Sequence, residues 1–316
     1  MARDIRNIPA SVHQRLLTKA RESSRPFNEL LQHFAIERFM YRLSKSPYAD
    51  RFILKGALML SAWSGSMSRP TMDIDLSGRI ENDPAKIAAA MKEVCKMVVV
   101  EDGMTFDPET VTAMRIMDDA GYQGVRVRIR GFLGNARVAV QADIGFGDVI
   151  VPGPLKVTYP VLLDFPPPEL SGYSMESTIA EKFHAMVKCG ILNSRIKDFH
   201  DIWMLSRSFD FRGAILAKAI ETTFANRDTP VPVDPAVFDD SFPKDKDKNV
   251  QWRGFIRKSR LSGAPDSFAD IVAGVKMFLE PPAIALAGQR MFRSRWKAPG
   301  PWSPEPEMKR GRILKT

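Results

Sequence analysis

Thr71-Met72-Asp73-Ile74-Asp75-Leu76 is the stretch of sequence that decides the fold, because its side chains alternate between polar and apolar. Alternation of this kind is typical of a β-strand with one buried face. It predicts Met72, Ile74 and Leu76 on one face, and Thr71, Asp73 and Asp75 on the other. We therefore expect a strand whose polar face carries two carboxylates, roughly 7 Å apart along the backbone.

The two carboxylates, Asp73 and Asp75, predict a cation site. Two carboxylates held close together are unfavourable unless a cation neutralises them, and their hard oxygen atoms suit Mg²⁺ or Mn²⁺. Such a pair can hold the metal ions that bridge nucleotide phosphates and activate an attacking hydroxyl. The alternative is the solvated face of an amphipathic strand, and a bare Asp-x-Asp pattern favours that alternative.

Three nearby features favour the cation site. A short apolar run leads to Lys55-Gly56 and a predicted helix, and Arg69 lies in the loop before the Asp-x-Asp strand. Asp143 ends another predicted strand and completes a three-carboxylate cluster if the two strands are neighbours. A strand-ending aspartate before a glycine turn is an equally good interpretation of Asp143.

The remaining periodicity predicts an α/β region followed by helices. Pro26 marks a predicted helix start with Ser24 as its cap, and Asp83 caps a later helix. Helices are expected within 12–43 and over 57–63, 84–98, 177–188, 197–207, 212–225, 247–257 and 267–279, a hairpin over 125–132 and 137–143, and a strand within 152–168. The predicted segments are an N-terminal helical segment 1–50, an α/β domain 51–168, a helical domain 169–288 and a basic tail 289–316.

The bulk composition indicates a cytosolic protein with a polyanionic partner. The chain has 46 Lys and Arg against 37 Asp and Glu, a net charge of +9, and only two cysteines. Clustered basic residues favour nucleic acids or nucleotides, because binding releases counterions from phosphates. No apolar run reaches the roughly 20 residues that span a membrane, and the N-terminus lacks the apolar core of a signal peptide.

The tail from residue 289 is the most basic part of the chain. Eight Lys and Arg against two Glu give it a charge of 8 − 2 = +6, with Pro, Gly and Trp interspersed. This composition predicts either a flexible arm or a segment that becomes ordered on a partner, and a solvated tail is the default.

Several sequence blocks together resemble the AbiEii/AbiGii toxin family of nucleotidyltransferases. They are 52–58, 69–76, 142–148, 177–186 and 193–201, in the order found in the family. The resemblance implies an α/β (α+β) nucleotidyltransferase domain with a mixed sheet, similar to DNA polymerase β, followed by a helical domain. It also implies an NTP-dependent toxin with a cognate antitoxin or a role in phage defence, whose acceptor in well-studied relatives is the 3′ end of tRNA.

The resemblance also implies roles for individual residues. Asp73 and Asp75 match the metal carboxylates, Gly56 the nucleotide-binding turn, and Lys182 a catalytic-domain lysine near the triphosphate, with Lys55 and Arg69 as further phosphate contacts. Asp198 or Asp201 matches an acid on the following helix, and the motif does not distinguish them. One of the two is expected to position Lys182, and the other could do the same or act as a general base towards the acceptor hydroxyl. Taken alone, Lys182 beside acidic neighbours is typical of a solvated ion pair.

One position departs from the pattern of nucleotidyltransferases. Ala57 and Leu58 follow Gly56, where a Ser or Thr hydroxyl generally helps to hold a phosphate. Lys55 or the N–H groups at the helix start could replace that hydroxyl.

The sequence thus predicts a Mg²⁺-dependent nucleotidyltransferase acting on RNA, most plausibly tRNA. The alternatives are a nucleotidyltransferase that modifies a small molecule such as an antibiotic, and a catalytically inactive RNA-binding module. The basic charge favours an RNA acceptor, since a cationic drug would require an acidic pocket.

Overall fold

The computed structural model describes residues 7–65, 71–117, 123–261 and 263–305. The chain folds into two compact units, Met1–Ser174 with Ser259–Leu261, and Met175–Lys258 with Ser262–Thr316. The first unit extends beyond the expected boundary at 168, because a strand at Glu169–Gly172 still belongs to its sheet.

Seven strands form the mixed sheet of the first unit. They are β1 (Phe52–Lys55), β2 (Asp73–Gly78), β3 (Met104–Met117), β4 (Gln123–Leu133), β5 (Ala136–Phe146), β6 (Leu155–Thr158) and β7 (Glu169–Gly172). Their order is β3-β4-β5-β2-β1-β7-β6. The pairs β2/β5 and β1/β7 are parallel, and the other neighbours are antiparallel. The carboxylate strand β2 therefore lies inside the sheet, between β1 and β5.

Helices cover one face of this sheet. The helices of the first unit are α1 (Ile8–Glu22), α2 (Phe27–Lys45), α3 (Ala57–Ser64) and α4 (Pro84–Cys95). Helix α2 contacts β5 and β3, and α4 contacts β3. Alternate residues of β4 and β5, among them Val127 and Val140, are buried in the core with Phe34 and Phe39. Most of the intervening residues of β4 and β5 are polar and lie on the opposite face.

The local sequence signals are largely confirmed in this unit. The hairpin β4–β5 forms, and the side chain of Asp83 caps α4 by accepting a hydrogen bond from the Ala85 N–H at 2.9 Å. Two details are wrong. Pro26 itself is the N-cap of α2, without a side-chain cap from Ser24, and Met72 precedes β2 and is 55% exposed.

The long strand β3 was not expected from the sequence. Its pairing with β4 is interrupted by a register shift between Asp107 and Thr112, where Pro108 falls. Proline cannot donate to the ladder, and an interrupted pairing obscures the period-2 pattern by which a strand is recognised.

The second unit is mainly helical. Its helices are α5 (Met175–Cys189), α6 (Ile196–Ser208), α7 (Gly213–Asn226), α8 (Lys246–Ser259) and α9 (Phe268–Ala287). All five were expected, but α9 does not end at residue 279 and continues through Pro281 and Pro282. Leu279 and Ala283 are fully buried on either side of the prolines, and this packing outweighs the local cost of proline in a helix.

The beginning of the basic tail is folded within the chain, and is neither the flexible arm nor the solvated tail that its composition predicted. Strands β9 (Ser294–Trp296) and β10 (Trp302–Pro304) pair with each other, and β9 pairs with β8 (Phe211–Arg212). Trp296 is 1% exposed, and Trp302 stacks on Phe278 with ring centroids 5.5 Å apart. These aromatic contacts attach residues 294–304 to α9, while residues 306–316 lie outside the described ranges.

Within the described ranges, no helix is both long and apolar enough to cross a membrane.

Candidate active site

The carboxylate pair lies on β2, at the middle of the sheet. Asp73 and Asp75 are half-buried and share one face of the strand, while the intervening Ile74 is fully buried. In the parallel pairing of β2 with β5, Asp75 lies opposite Asp143. The neighbouring strands on which the three-carboxylate prediction depended are therefore present.

Gly56 makes room for one of these carboxylates. Its φ of +69° falls in the left-handed region, and a Cβ at this position would lie 1.9 Å from Oδ2 of Asp75. Only glycine tolerates both the backbone conformation and the close approach. The turn between β1 and α3 thus places the N-terminus of α3 beside the carboxylate strand.

Asp143 is held by an arginine of the adjacent strand. Arg126 donates from Nε to Oδ1 of Asp143 at 2.8 Å and from Nη2 to Oδ2 at 2.7 Å. Asp143, followed by the nearby Asp73 and Asp75, raises the pKa of Arg126 above its usual range. The guanidinium is therefore a fixed positive charge at the edge of the carboxylate cluster.

Lys55 is the last residue of β1, which pairs with β2 on the side away from β5. Its Nζ is 2.8 Å from Oδ2 of Asp148 and 5.6 Å from the ring centre of Tyr173. Gly145 leaves the space for this side chain, because a Cβ there would be 3.2 Å from Lys55 Nζ. The predicted phosphate contact Lys55 thus has a structural partner, Asp148.

The second unit contains the other predicted group. Lys182 on α5 lies 2.5 Å from Oδ1 of Asp198 and 2.9 Å from Oδ2 of Asp201, both on α6. Arg195 donates from Nε to the other oxygen of Asp198 at 2.7 Å. The structure brings both candidate acids to Lys182.

Both acids are buried, and the surroundings of Asp198 favour its ionised form. Asp198 is 4% exposed and Asp201 is 0% exposed. Burial opposes ionisation of Asp198, but Lys182 and Arg195 outweigh it and lower its pKa. Lys182, with its side chain 11% exposed between two buried carboxylates, is therefore not the solvated ion pair that local sequence favours.

Two predicted features of the site are not seen among the residues that the structure describes. Arg69 lies outside the described residues. Among the side chains that the structure describes, no three His, Cys, Asp or Glu residues are gathered closely enough to hold a metal ion by themselves.

The residues around β2 nevertheless fit a divalent cation. Asp73, Asp75 and Asp143 offer only oxygen atoms as metal ligands, and Mg²⁺ is commonly bound by one or two carboxylates together with substrate phosphates. Gly56 leaves open the space beside Asp75 that a Cβ would fill. An oxygen of Asp143 that accepts from Arg126 retains a second lone-pair direction, so the ion pair and coordination are compatible.

Comparison with known families identifies the class of protein. The model of the nucleotidyl transferase AbiEii toxin, type IV toxin–antitoxin system, matches residues 38–274. The class is therefore a nucleotidyltransferase, whose members in this family use an NTP and a divalent metal. The chain belongs to the AbiEii toxin family of type IV toxin–antitoxin systems, and such a toxin has a cognate antitoxin.

One solved structure agrees with this assignment at the level of the fold, and a second has a lower similarity. The nucleotidyltransferase toxin MenT4 of Mycobacterium tuberculosis H37Rv is similar, with a TM-score of 0.51 and 17% identity over 89% of each chain. JHP933 from Helicobacter pylori has a TM-score of 0.39 and 12% identity, over 80% of this chain and 89% of that one. No curated protein matches the sequence. The predicted family and fold class are confirmed.

Sequence reasoning missed two members of the site, Arg126 and Asp148. Arg126 alternates with apolar residues in Val125-Arg126-Val127-Arg128-Ile129-Arg130, which is also the pattern of any solvated strand. Only the pairing of β4 with β5 shows that Arg126 lies opposite Asp143.

Proposed function

We propose that this nucleotidyltransferase transfers a nucleoside monophosphate from an NTP to the 3′-hydroxyl of an RNA, with the acceptor end of tRNA as the preferred candidate. The hydroxyl oxygen attacks the α-phosphorus, a new O3′–P bond forms, the bond to the β-phosphate breaks, and pyrophosphate leaves while the proton passes to water. The observation that carries the proposal is the placement of Asp73 and Asp75 on one face of β2, beside Asp143 and the Gly56 turn.

Asp73 and Asp75 are the proposed ligands of Mg²⁺ or Mn²⁺, with Asp143 as the third carboxylate. When bound, the metal supplies charge neutralisation at the phosphates and activation of the attacking hydroxyl. Arg126 orients Asp143 through its two hydrogen bonds. The N–H groups at the start of α3 point toward phosphate in this proposal, which offsets the missing hydroxyl at Ala57.

Lys182 is proposed to neutralise charge on the NTP phosphates, with Asp198 and Asp201 as its positioning residues. Both acids are buried against Lys182, so neither is suited to accept a proton from the acceptor. We expect Lys182→Met to raise KM for the NTP about tenfold or more, the loss of one charged contact. An unchanged KM in a protein with a normal thermal melt would leave Lys182 with a structural role only.

The RNA acceptor is supported by charge. The net charge of +9 favours a polyanion over a cationic small molecule. An NTP and an RNA are both found in the cytoplasm, so the proposal places the reaction there.

The decisive experiment is incubation of the protein with Mg²⁺, each α-labelled NTP in turn and total bacterial tRNA. We expect label on tRNA with one or more NTPs, and a fall of about 100- to 1,000-fold or more in Asp73→Asn and Asp75→Asn. Asp50→Asn, an exposed acid outside the site, is the matched control and should retain activity.

Label that appears on another RNA, or on a small molecule, would replace tRNA as the acceptor and leave the carboxylate roles intact. Label transfer that survives in Asp73→Asn and Asp75→Asn would contradict the assignment of the site itself.

A further inference from the structure

A row of arginines extends from the carboxylates across the open face of the sheet. Arg126, Arg128 and Arg130 alternate along β4 and therefore share one face, and the same rule puts Arg137 of β5 on that face. Arg128, Arg130 and Arg137 are exposed, whereas Arg126 is half-buried against Asp143. We call Arg128, Arg130 and Arg137 the arginine row.

The row is continuous with the site, because the strands are paired. Asp75 lies opposite Asp143 in β2/β5, and Asp143 lies opposite Arg126 in β5/β4. From Arg126 to Arg130 the strand advances four residues, or about 13 Å. A ligand that reaches the carboxylates at one end and contacts Arg130 at the other is longer than a triphosphate.

The surroundings of Arg128 also suit a nucleic acid strand. Arg128 has neutral cross-strand neighbours, Thr112 on one side and Gln141 on the other, and donates to Gln141 at 3.2 Å. A pocket of about 270 Å³ is lined by the three arginines of the row together with Thr110, Ile129, Val138 and Ala139. Regularly spaced guanidinium groups around a shallow pocket can contact successive phosphates and leave space for a sugar or a base.

We propose that the arginine row binds the phosphate backbone of a single-stranded segment of the acceptor RNA and leads its 3′ end to Asp73 and Asp75. The proposal rests on the proposed function for the identity of the acceptor. An acidic protein is the competing class of ligand. The spacing along one strand and the continuity with the carboxylates favour RNA, because the reacting 3′ end must approach from a surface that adjoins the site.

The test is binding of a fluorescent, unstructured RNA oligonucleotide by anisotropy over a series of salt concentrations. The triple variant Arg128→Gln/Arg130→Gln/Arg137→Gln should weaken binding at least about tenfold and reduce the slope of log K against log salt by about 2, since each lost phosphate contact removes about 0.7. A triple Arg→Lys variant at the same positions should retain the slope, because it retains the charges.

Arg21→Gln/Lys96→Gln/Lys218→Gln is the matched control, since it removes the same charge from exposed positions outside the row. It should retain most of the salt slope. An unchanged slope in the Arg→Gln triple variant, or an equal loss in the control, would overturn the proposal. Loss of poly-glutamate binding with RNA binding intact would assign the row to an acidic protein and overturn it as well.

Failure of the row and failure of the proposed function are distinguishable. Asp73→Asn should bind the oligonucleotide normally while transfer is lost. If the protein transfers label to RNA but the salt slope of RNA binding does not depend on the arginine row, only the role of the row is contradicted. If RNA binding depends on the row but no label is transferred to RNA, only the proposed function is contradicted.

Discussion

Two bidentate Arg–Asp pairs in the first unit have similar donor–acceptor distances and different surroundings. Arg126 donates to Asp143 at 2.8 and 2.7 Å, and Arg42 donates to Asp102 at 2.8 and 3.0 Å. The side chains of Arg126 and Asp143 are 32% and 22% exposed, whereas those of Arg42 and Asp102 are 7% and 1% exposed.

The surroundings determine what each pair can do. Asp102 also lies 3.6 Å from Arg38, and Arg42 donates to the carbonyl of Met104 at 2.8 Å, so the buried pair belongs to a network inside the core. Arg126 and Asp143 face the carboxylate site and remain accessible to water and ligand. Removal of one buried charge leaves its partner uncompensated, while water can replace an exposed partner.

The largest expected effect comes from breaking the buried pair. Asp102→Ala leaves Arg42 and Arg38 buried without their shared carboxylate, so we expect a loss of about 3–5 kcal/mol in the free energy of unfolding. Asp143→Ala, its counterpart at the exposed pair, should lose less than about 1 kcal/mol. Chemical denaturation of both variants measures the contrast, and equal losses would show that burial does not separate the two pairs.

A smaller effect is expected from pH, at the buried acid next to this network. Burial, opposed by Arg38 and by the Leu162 N–H, raises the pKa of Glu37 from 4.5 to about 7. Because the folded state favours the protonated form, the contribution of Glu37 to stability is complete below pH 4.5. This contribution is lost as the pH rises through 7. The difference of about 2.5 between the two pKa values corresponds to about 3 kcal/mol in the free energy of unfolding.

Glu37→Gln removes this dependence, since Gln stays neutral and can accept the same hydrogen bond from Leu162. We expect the variant to gain stability over the wild type as the pH rises from 4.5 to 7. His33, whose pKa burial and Arg25 lower to about 4, gives a slope of opposite sign in both proteins and cancels in the difference. A stability difference that is constant with pH would contradict the raised pKa.

The smallest effect is expected at the exposed pair. A double-mutant cycle on Arg126 and Asp143, each changed to Ala, should give a coupling energy of about 1 kcal/mol or less at low salt and a smaller value at high salt. Coupling above about 2 kcal/mol that persists in high salt would place this pair in the same class as Arg42 and Asp102. Nucleotidyl transfer should fall in both single variants although their stability hardly changes.

Much of the fold was predictable because its signals are local. The alternation around Asp73 and Asp75, the Lys55-Gly56 turn and the helical periodicity of the second unit are each legible within a short window. Features that depend on partners distant in the chain were not predictable. Strand β3 was missed, and α9 passes through two prolines because the core on both sides of them is buried.

The same division applies to the site. The spacing of Asp73 and Asp75 already determined that both side chains share one face. A glycine is needed where a turn with positive φ approaches a strand closely, as at Gly56. The contact of Lys182 extends to both Asp198 and Asp201, the two acids that the motif does not distinguish. It depends on how α5 packs against α6, which the sequence between them does not specify.

By itself, therefore, the sequence determined that Asp73 and Asp75 share one strand face and that the second region is helical, because neighbours two, three or four residues apart encode strand and helix faces. The class of enzyme came from the resemblance of several sequence blocks to a known family. Only the tertiary structure decided that Asp143 lies opposite Asp75 and is held by Arg126, that the arginine row adjoins this site, and that residues 294–304 pack on α9. Cross-strand register and aromatic packing join residues far apart in the chain, and no local pattern contains that information.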